Sequence, residues 1–561
     1  MTEPDLSAPD DLVREATLAL AGGPDAMMLE RLAEAWRIYP THAGVTLRLG
    51  DALQLAGRRD EAVAAYAAAL ALDAMSFEAW YGMAGAQMAR RAYASARDAA
   101  VQALGLEPNA EGVRCLLAEA LFNLGEVDGA AAAYSRVIAR GEPAVRDAAL
   151  ASLAVLVPGS PAAGHQDVRS VRAAWIERAG GAIRPMPRQS PMAGPGQAKR
   201  KIRIGYMSAF FSARNWMKPV SAVINRHDRA HFEIHLIADG EAPTAAAGYV
   251  ENAQDRVWLV RGMPNGALAR AIAQAELDVL VDLNGYSLPG RLGVFPYRPA
   301  PLQLGWFNMF ATTAVPGIDA LVGDATVVRP DEEQFYSERV LRVPGSYLAF
   351  QVTYPTPDVA PPPWRANGVP TLGCLGSAYK LTPGTLEAWA AILRAVPLAR
   401  LHVGNPSLDE ESNRTELLRR LANRGVAAER VTVSGRAEHF EFLRGYGGID
   451  IALDTFPYNG GTTTTEALWQ GVPVLTCIGD RWAGRTSRSL LVAAGLEEWV
   501  AEDMAGFVDR GIALLTDPHT PARLAALRAG LRERLRASPA CDSAGLCAAL
   551  EAIYTGGVAG A

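Results

Sequence analysis

The chain has 561 residues, 50% hydrophobic and 20% charged, with 54 Lys and Arg against 60 Asp and Glu for a net charge of −6. That balance excludes a disordered chain and a broadly basic nucleic-acid binder, and the length predicts roughly three or four domains of about 100 to 200 residues each. Apolar runs are broken well before the ~20 residues a bilayer crossing needs, so no membrane span is expected. Glu3, Asp5, Asp10 and Asp11 stand where a secretory signal would place Lys or Arg ahead of an apolar run, which points to a cytoplasmic address. The five cysteines (Cys115, Cys374, Cys477, Cys541, Cys547) lack any C-x-x-C spacing and read as reduced, buried thiols.

The first 150 residues carry a repeat. Ala52, Ala86 and Ala120 are 34 apart, as are Ala62, Ala96 and Ala130. Gly57, Arg91 and Gly125 fall at the turn of the same register, and Tyr66, Ala100 and Tyr134 on the second helix, with Leu70, Leu104 and Ile138. Small residues at fixed places let two antiparallel helices approach, and larger ones fill the space to the next pair. The pattern resembles the tetratricopeptide repeat, with three clear units over 43–141 and a weaker one over 27–40. Such an array presents a ridged surface for a protein segment or for a second copy of the chain; the plainer alternative is a mechanical prop for its neighbour.

Prolines 158, 161, 185, 187, 191 and 195 flank one helical stretch over 168–179 and mark a boundary. Beyond it, apolar strands over 202–208, 232–238 and 279–283 alternate with helical patterns such as 268–275, the signature of a parallel sheet covered by helices. A Pro-rich break over 354–363 precedes a second series of strands over 371–375, 400–403, 430–433, 449–453 and 472–476. Two α/β lobes on a hinge make a cleft, and ligands of such folds sit beyond the carboxyl ends of the strands.

The segment from Ile449 to Val474 reads as strand, Gly-containing loop, helix and strand. Asn459, Gly460 and Gly461 form the loop, with the two glycines allowing close backbone approach, and Thr462, Thr463 and Thr464 open the helix with hydroxyls and free amides. A helix start of this kind suits a diphosphate. Glu466 falls one turn on, placed to accept from ribose hydroxyls. A Thr-capped structural helix with a solvent-facing acid satisfies the same pattern.

Taken with the repeats, the motifs "DLNGY", "RPAPLQLGW", "YKLTP", "ALDTFPYNGGTTTTEALWQGVPVLT" and "GDRWAGR" resemble those of the O-linked N-acetylglucosamine transferase and Spindly family over about 201–494. The resemblance implies an α-solenoid of tetratricopeptide repeats (1–155), a Pro-rich linker with a helix (156–200), and a GT-B-type α/β glycosyltransferase with two Rossmann-like lobes. These are an N-terminal acceptor lobe (201–355) and a C-terminal nucleotide-sugar lobe (356–535), followed by a helix and tail (536–561). It further implies inverting, metal-independent transfer from a nucleotide sugar, UDP-GlcNAc-like, to protein Ser or Thr hydroxyls, with no cofactor, a peptide or protein acceptor, a homodimer through the repeats as an option, and no nucleic acid. By the same resemblance Lys380 contacts the donor diphosphate with Thr462 and Thr463, Glu466 the ribose, and Arg485 lies near the cleft. Asn284, Gly285 and Tyr286, with Arg298, Pro299 and Pro301, line the acceptor side. Tyr379, beside Lys380, and Trp306 read as core or cleft aromatics, with core the favoured reading.

The chain also departs from the family. After the strand over 202–208 the family's Asp and His are missing; Arg214 or Asn215 occupies the His position and Lys218 lies one turn further. Ser377 replaces a Gln of the lysine motif, and Gly461 the His of the family's "GHTT" loop. Arg214 or Lys218 would suit an acidic sugar or acceptor, and Lys218 and Asp278 are candidates for assisting the proton. The "ARNWMKP" stretch otherwise reads as a capped helix start. His227, His231 and His235 are spaced by four, but His235 belongs to a strand, so the three do not form a helical metal site. His439 opens a helix at the C-lobe rim where the family meets the nucleotide base. The rival function, prompted by the missing His, is an adaptor whose lobes hold a nucleotide without turnover; a lipid or polysaccharide transferase is a third.

Overall fold

The computed structural model describes residues 9–180, 183–186 and 200–560. The linker prolines Pro187, Pro191 and Pro195, and the acidic Glu3 and Asp5, lie outside the described residues. The chain forms two compact units: one runs to Ala149 and takes in Asn405–Arg420 and Ser434–Arg436, and the other holds Leu150–Gly404, Leu421–Val433 and Ala437–Ala561.

In the first unit helices alternate at the predicted period: Ala43–Leu55 with Arg59–Leu72, Phe77–Arg90 with Tyr93–Leu106, Glu111–Asn123 with Val127–Arg140. A further pair, Pro9–Ala21 and Ala26–Ile38, precedes them, and Pro9–Ala21 begins and ends 34 residues before Ala43–Leu55. The weak first repeat is therefore a complete helix pair. Gly23, Gly57, Arg91 and Gly125, again 34 apart, all take positive φ (122°, 74°, 69° and 82°). The left-handed residue ends each first helix and turns the chain; Arg58, Ala92 and Glu126 then donate back to the carbonyls of Leu53, Gln87 and Leu121, each at 2.9 Å. Glycine adopts that conformation freely, whereas Arg91 does so against its β-carbon. The repeating alanines are buried, and Tyr66 fills the space between helices, where a β-carbon on Gly50 or Gly82 would lie 2.7 or 2.3 Å from its ring. Within this unit Asn413 accepts from the Ala94 amide (3.0 Å) and donates to the Arg91 carbonyl (2.7 Å), tying Asn405–Arg420 to the third helix pair.

The second unit holds two parallel sheets. The first comprises β1 (Ile202–Ser208), β2 (Phe232–Ala238), β3 (Arg256–Leu259), β4 (Val279–Asp282), β5 (Leu302–Trp306), β6 (Ala320–Gly323) and β7 (Arg339–Arg342), in the order β3-β2-β1-β4-β5-β6-β7. The second comprises β8 (Thr371–Cys374), β9 (Arg400–Gly404), β10 (Val431–Ser434), β11 (Ile451–Leu453), β12 (Val474–Cys477) and β13 (Val500–Ala501), in the order β10-β9-β8-β11-β12-β13. β3, β5 to β7 and β13 were not evident in sequence: four of these five strands have four residues or fewer, and β3 lies at an edge with most of its surface exposed, so no alternation marks it. In each sheet the strand order reverses once, between β1 and β4 and between β8 and β11. Chains leaving the two strands there diverge to opposite sides and open a crevice at their carboxyl ends. The helix His165–Gly180 packs on the first lobe, where buried Arg172 donates to the carbonyls of Ala154, Met309 and Thr312. The last helix, Ser543–Gly560, also returns to the first lobe, where the Tyr554 and Tyr206 hydroxyls meet at 2.9 Å.

Candidate functional site

Both reversal points hold residues singled out by sequence. In the second sheet, β8 runs into a tight turn, Ala378–Lys380, and β11 into the loop that ends at the helix Thr462–Trp469. Asp454, buried just past β11, organises that loop: it accepts the amides of Thr455 (2.9 Å) and Gly460 (2.8 Å) and the Thr476 hydroxyl (2.7 Å). Gly460 is required there, since a β-carbon would lie 2.4 Å from the Thr464 hydroxyl oxygen and 2.9 Å from that of Thr463. Gly461 has more room, a β-carbon meeting Thr486 at 3.5 Å. Among the described residues the amides of Gly461, Thr462, Thr463 and Thr464 find no acceptor, while Thr465 makes the first helical bond, to the Gly461 carbonyl. The Thr464 hydroxyl is engaged with Ser487 at 2.8 Å.

Lys380 reaches across to this loop. Its ammonium donates to the Asn459 carbonyl at 2.6 Å and lies 4.3 Å from the centre of the Tyr458 ring. The surrounding rings desolvate the charge and lower its pKa to about 8, with Asp454 pulling the other way. Tyr379 stands edge-on to Tyr458 at 6.0 Å, and exposed Ser377 begins the Lys380 turn. Among the described residues the buried side-chain oxygen of Asn459 finds no partner.

A second cluster joins the two lobes. Lys218, from the short turn that follows β1, forms an ion pair with Glu466, and both side chains are nearly inaccessible. His439 Nε2 lies 2.9 Å from the same Glu466 oxygen and 3.1 Å from the Lys218 ammonium. The Tyr354 ring supports the group, with the Lys218 ammonium 4.7 Å from its centre and the His439 ring edge-on at 4.7 Å. Burial lowers the Lys218 pKa, and Glu466 opposes that shift. Arg214 donates to the Ala246 carbonyl at 3.0 Å, and its guanidinium carbon lies 5.8 Å from the centre of the Tyr354 ring.

At the first sheet's reversal point, Asn284 accepts the Ala209 amide at 2.9 Å and ties the ends of β1 and β4 together. Its buried side-chain nitrogen has no partner among the described residues. Asp282 accepts the amides of Asn284 (3.2 Å) and Gly285 (2.8 Å), and burial raises its pKa to about 6. Gly285 has φ of 50° and passes so close to Asn308 that a β-carbon would lie 2.1 Å from its carbonyl oxygen. An open cavity beyond β1 and β2 is lined by Phe210, Asp239, Glu241, Arg261 and Arg291.

Several expected roles do not fit this arrangement. Asp278 precedes β4 at its amino end, roughly 13 Å along the strand from Asp282, where it takes a two-pronged ion pair from Arg200 (2.6 and 2.8 Å) and the Arg203 amide. It has no path to a reacting hydroxyl. Lys218 is not free to move a proton, being paired with Glu466. Tyr286 is buried, its hydroxyl donating to the Thr313 carbonyl at 2.7 Å and its face covered by Arg172 at 3.8 Å. Arg485 is buried in a two-pronged pair with Glu332, 2.6 Å in each arm, and braces the loop instead of facing a ligand. Arg298 is spent on Asp319 and the Gly317 carbonyl. Trp306, by contrast, is core as the sequence favoured, its indole nitrogen donating to the Tyr347 carbonyl. Sequence reasoning missed Asp282, Asp454 and Tyr354; the two aspartates share a readable signal, a lone acid ending an apolar strand run.

The glycosyl transferase family 41 model matches residues 188–352 and 373–550. Among curated proteins, the probable UDP-N-acetylglucosamine–peptide N-acetylglucosaminyltransferase SPINDLY of Solanum lycopersicum is 32% identical over 361 residues, covering 64% of this chain and 38% of that protein. The probable enzyme of the same activity named SEC from Arabidopsis thaliana is 29% identical over 355 residues, covering 61% and 36%. The chain thus spans less than two-fifths of the length of these relatives. Among solved structures, a point mutant of the O-GlcNAc transferase from Thermobaculum terrenum superimposes with a TM-score of 0.77 at 28% identity, covering 92% of this chain and 98% of that one. Helical repeats followed by two parallel α/β sheets are the architecture of a GT-B-like glycosyltransferase.

Proposed function

The chain belongs to glycosyl transferase family 41, and from that membership we propose that it transfers a sugar from a UDP-linked donor, N-acetylglucosamine or a close analogue, to Ser or Thr hydroxyls of protein acceptors. The observation that carries the proposal is the convergence of the Lys380 ammonium with the unpaired amides that open the helix Thr462–Trp469. A diphosphate laid there takes hydrogen bonds worth about 1.5 to 3 kcal/mol each to a charged group, and the helix start adds roughly 0.3 to 1 kcal/mol. Both Lys218 and His439 meet one Glu466 oxygen, and the other is the acceptor for a ribose hydroxyl. The base lies toward His439 and Tyr354.

In the transfer step the acceptor oxygen bonds to the anomeric carbon as the bond to the diphosphate breaks with its electron pair, and the hydroxyl proton passes, directly or through water, to an oxygen of the departing diphosphate. The charge that grows on the leaving diphosphate is met by Lys380 and the amides, which are already oriented and need no rearrangement. Asp454 and Asp282 hold the two loops in shape and take no part in bond exchange. The acceptor approaches from the side of Asn284, whose unpaired nitrogen is a donor for it. The repeats supply the ridged surface that selects the acceptor, or that pairs with a second copy.

Calorimetry with UDP, then intact-mass analysis of proteins co-expressed with the chain, tests the proposal. A mass increment equal to one donor sugar, lost when Lys380 is removed, supports it. UDP binding with neither transfer nor donor hydrolysis would leave the adaptor function in its place, and failure to bind any nucleoside diphosphate would refute both.

A further inference from the structure

Away from the cleft, three side chains from distant parts of the chain meet under the last helix. His227 follows the helix Ser221–Arg226; Cys547 and Glu551 lie one turn apart on Ser543–Gly560, an i,i+4 pair facing the same way. His227 Nδ1 is 2.9 Å from Glu551 Oε1 and 3.4 Å from Cys547 Sγ, and Cys547 Sγ is 3.7 Å from Glu551 Oε1. The Asp228 amide also donates to Glu551 Oε1, at 3.0 Å. His227 is fully buried and Cys547 nearly so, while the Glu551 side chain is 22% exposed and opens the cluster to water.

We propose that His227, Cys547 and Glu551 form a structural site for a divalent transition ion of the zinc class, which pins the last helix to the first lobe. Imidazole, thiolate and carboxylate are the donors such an ion takes. Tetrahedral coordination at zinc's usual bond lengths of about 2.0 to 2.3 Å places neighbouring ligand atoms roughly 3.3 to 3.6 Å apart. The triangle of 2.9, 3.4 and 3.7 Å needs only small side-chain shifts to match. A water on the Glu551 side completes the fourth position.

The outer support is also in place. His227 Nε2 lies 2.7 Å from the Tyr206 hydroxyl, which meets Tyr554 at 2.9 Å. With Nδ1 on the metal, the imidazole proton resides on Nε2 and is donated to Tyr206, which donates in turn to Tyr554; Cys547 gives up its thiol proton on binding. The result is an oriented histidine joined to a strand residue of β1 and to the helix that carries the other two ligands. The three histidines of similar spacing (His227, His231, His235) do not meet: His231 pairs with Asp228 and His235 with Glu233.

The test uses the full-length chain, stripped with a chelator and titrated with Co²⁺. One cobalt per chain, with thiolate-to-metal charge-transfer absorption in the near ultraviolet, is expected. The band is lost in C547S and the stoichiometry falls in E551Q, while Y206F keeps the band but weakens binding about 10- to 100-fold, as loss of an outer hydrogen bond does. Absence of the charge-transfer band in the folded wild-type chain, a readout that depends on no variant, would overturn the proposal. Its persistence in folded C547S would do so as well.

Discussion

Replacing Lys380 by Ala probes the site most directly. The ammonium donates to the Asn459 carbonyl and has a pKa lowered to about 8 by its surroundings. Removing it deletes a charge-assisted contact to the diphosphate, about 1.5 to 3 kcal/mol, so UDP should bind roughly 10- to 100-fold more weakly. The loss grows in the transition state, where a missing preoriented donor slows turnover by about 100- to 1000-fold. A second signature follows from the lowered pKa. A bound diphosphate stabilises the ammonium, so affinity is complete below pH 8 and declines as pH rises through the free lysine's pKa; UDP should bind about tenfold more weakly at pH 9 than at pH 7. Calorimetry with wild type and K380A at both pH values reads both effects, and thermal unfolding checks that the variant folds. Turnover within about threefold of wild type, or the same pH slope in K380A, would refute the role given to this lysine.

Gly460→Ala should weaken UDP binding at least about tenfold, because overpacking against the Thr463 and Thr464 hydroxyls costs roughly 1 to 3 kcal/mol and reshapes the loop; unchanged affinity would show that the loop is not a close-approach surface. Arg91→Gly relieves a left-handed φ of 69° and should stabilise the repeats by about 0.5 to 1 kcal/mol in urea unfolding. A destabilised variant would mean that the Arg91 side chain contributes more than its backbone costs. Asp278→Asn should lower stability by about 1 to 3 kcal/mol, through the Arg200 pair and the Arg203 amide, yet leave turnover per folded molecule within about twofold. Turnover slowed by two orders of magnitude in the folded variant would return Asp278 to the reaction.

Patterns with a short period were legible from the residues alone. The 34-residue spacing marked the repeats because each helix pair buries the same small residues against the next, down to the left-handed turn at Arg91. The run of glycines and threonines after β11 declared a loop and a helix start, since those residues answer a local backbone need, and it led to Glu466 one turn on. What a side chain faces across the molecule is not written in its neighbours. Asp278 and Asp282 stand four residues apart with similar surroundings in sequence, but the direction of β4 puts one at the amino end of the sheet and the other in the crevice. Arg485 looked like a ligand for phosphate until the fold supplied Glu332. Lys218 meets Glu466, and His227 meets Cys547 and Glu551, only because two sheets and a returning helix bring together segments hundreds of residues apart. Local periodicity determined the elements; strand order and burial, which are properties of the whole chain, decided which charges face one another.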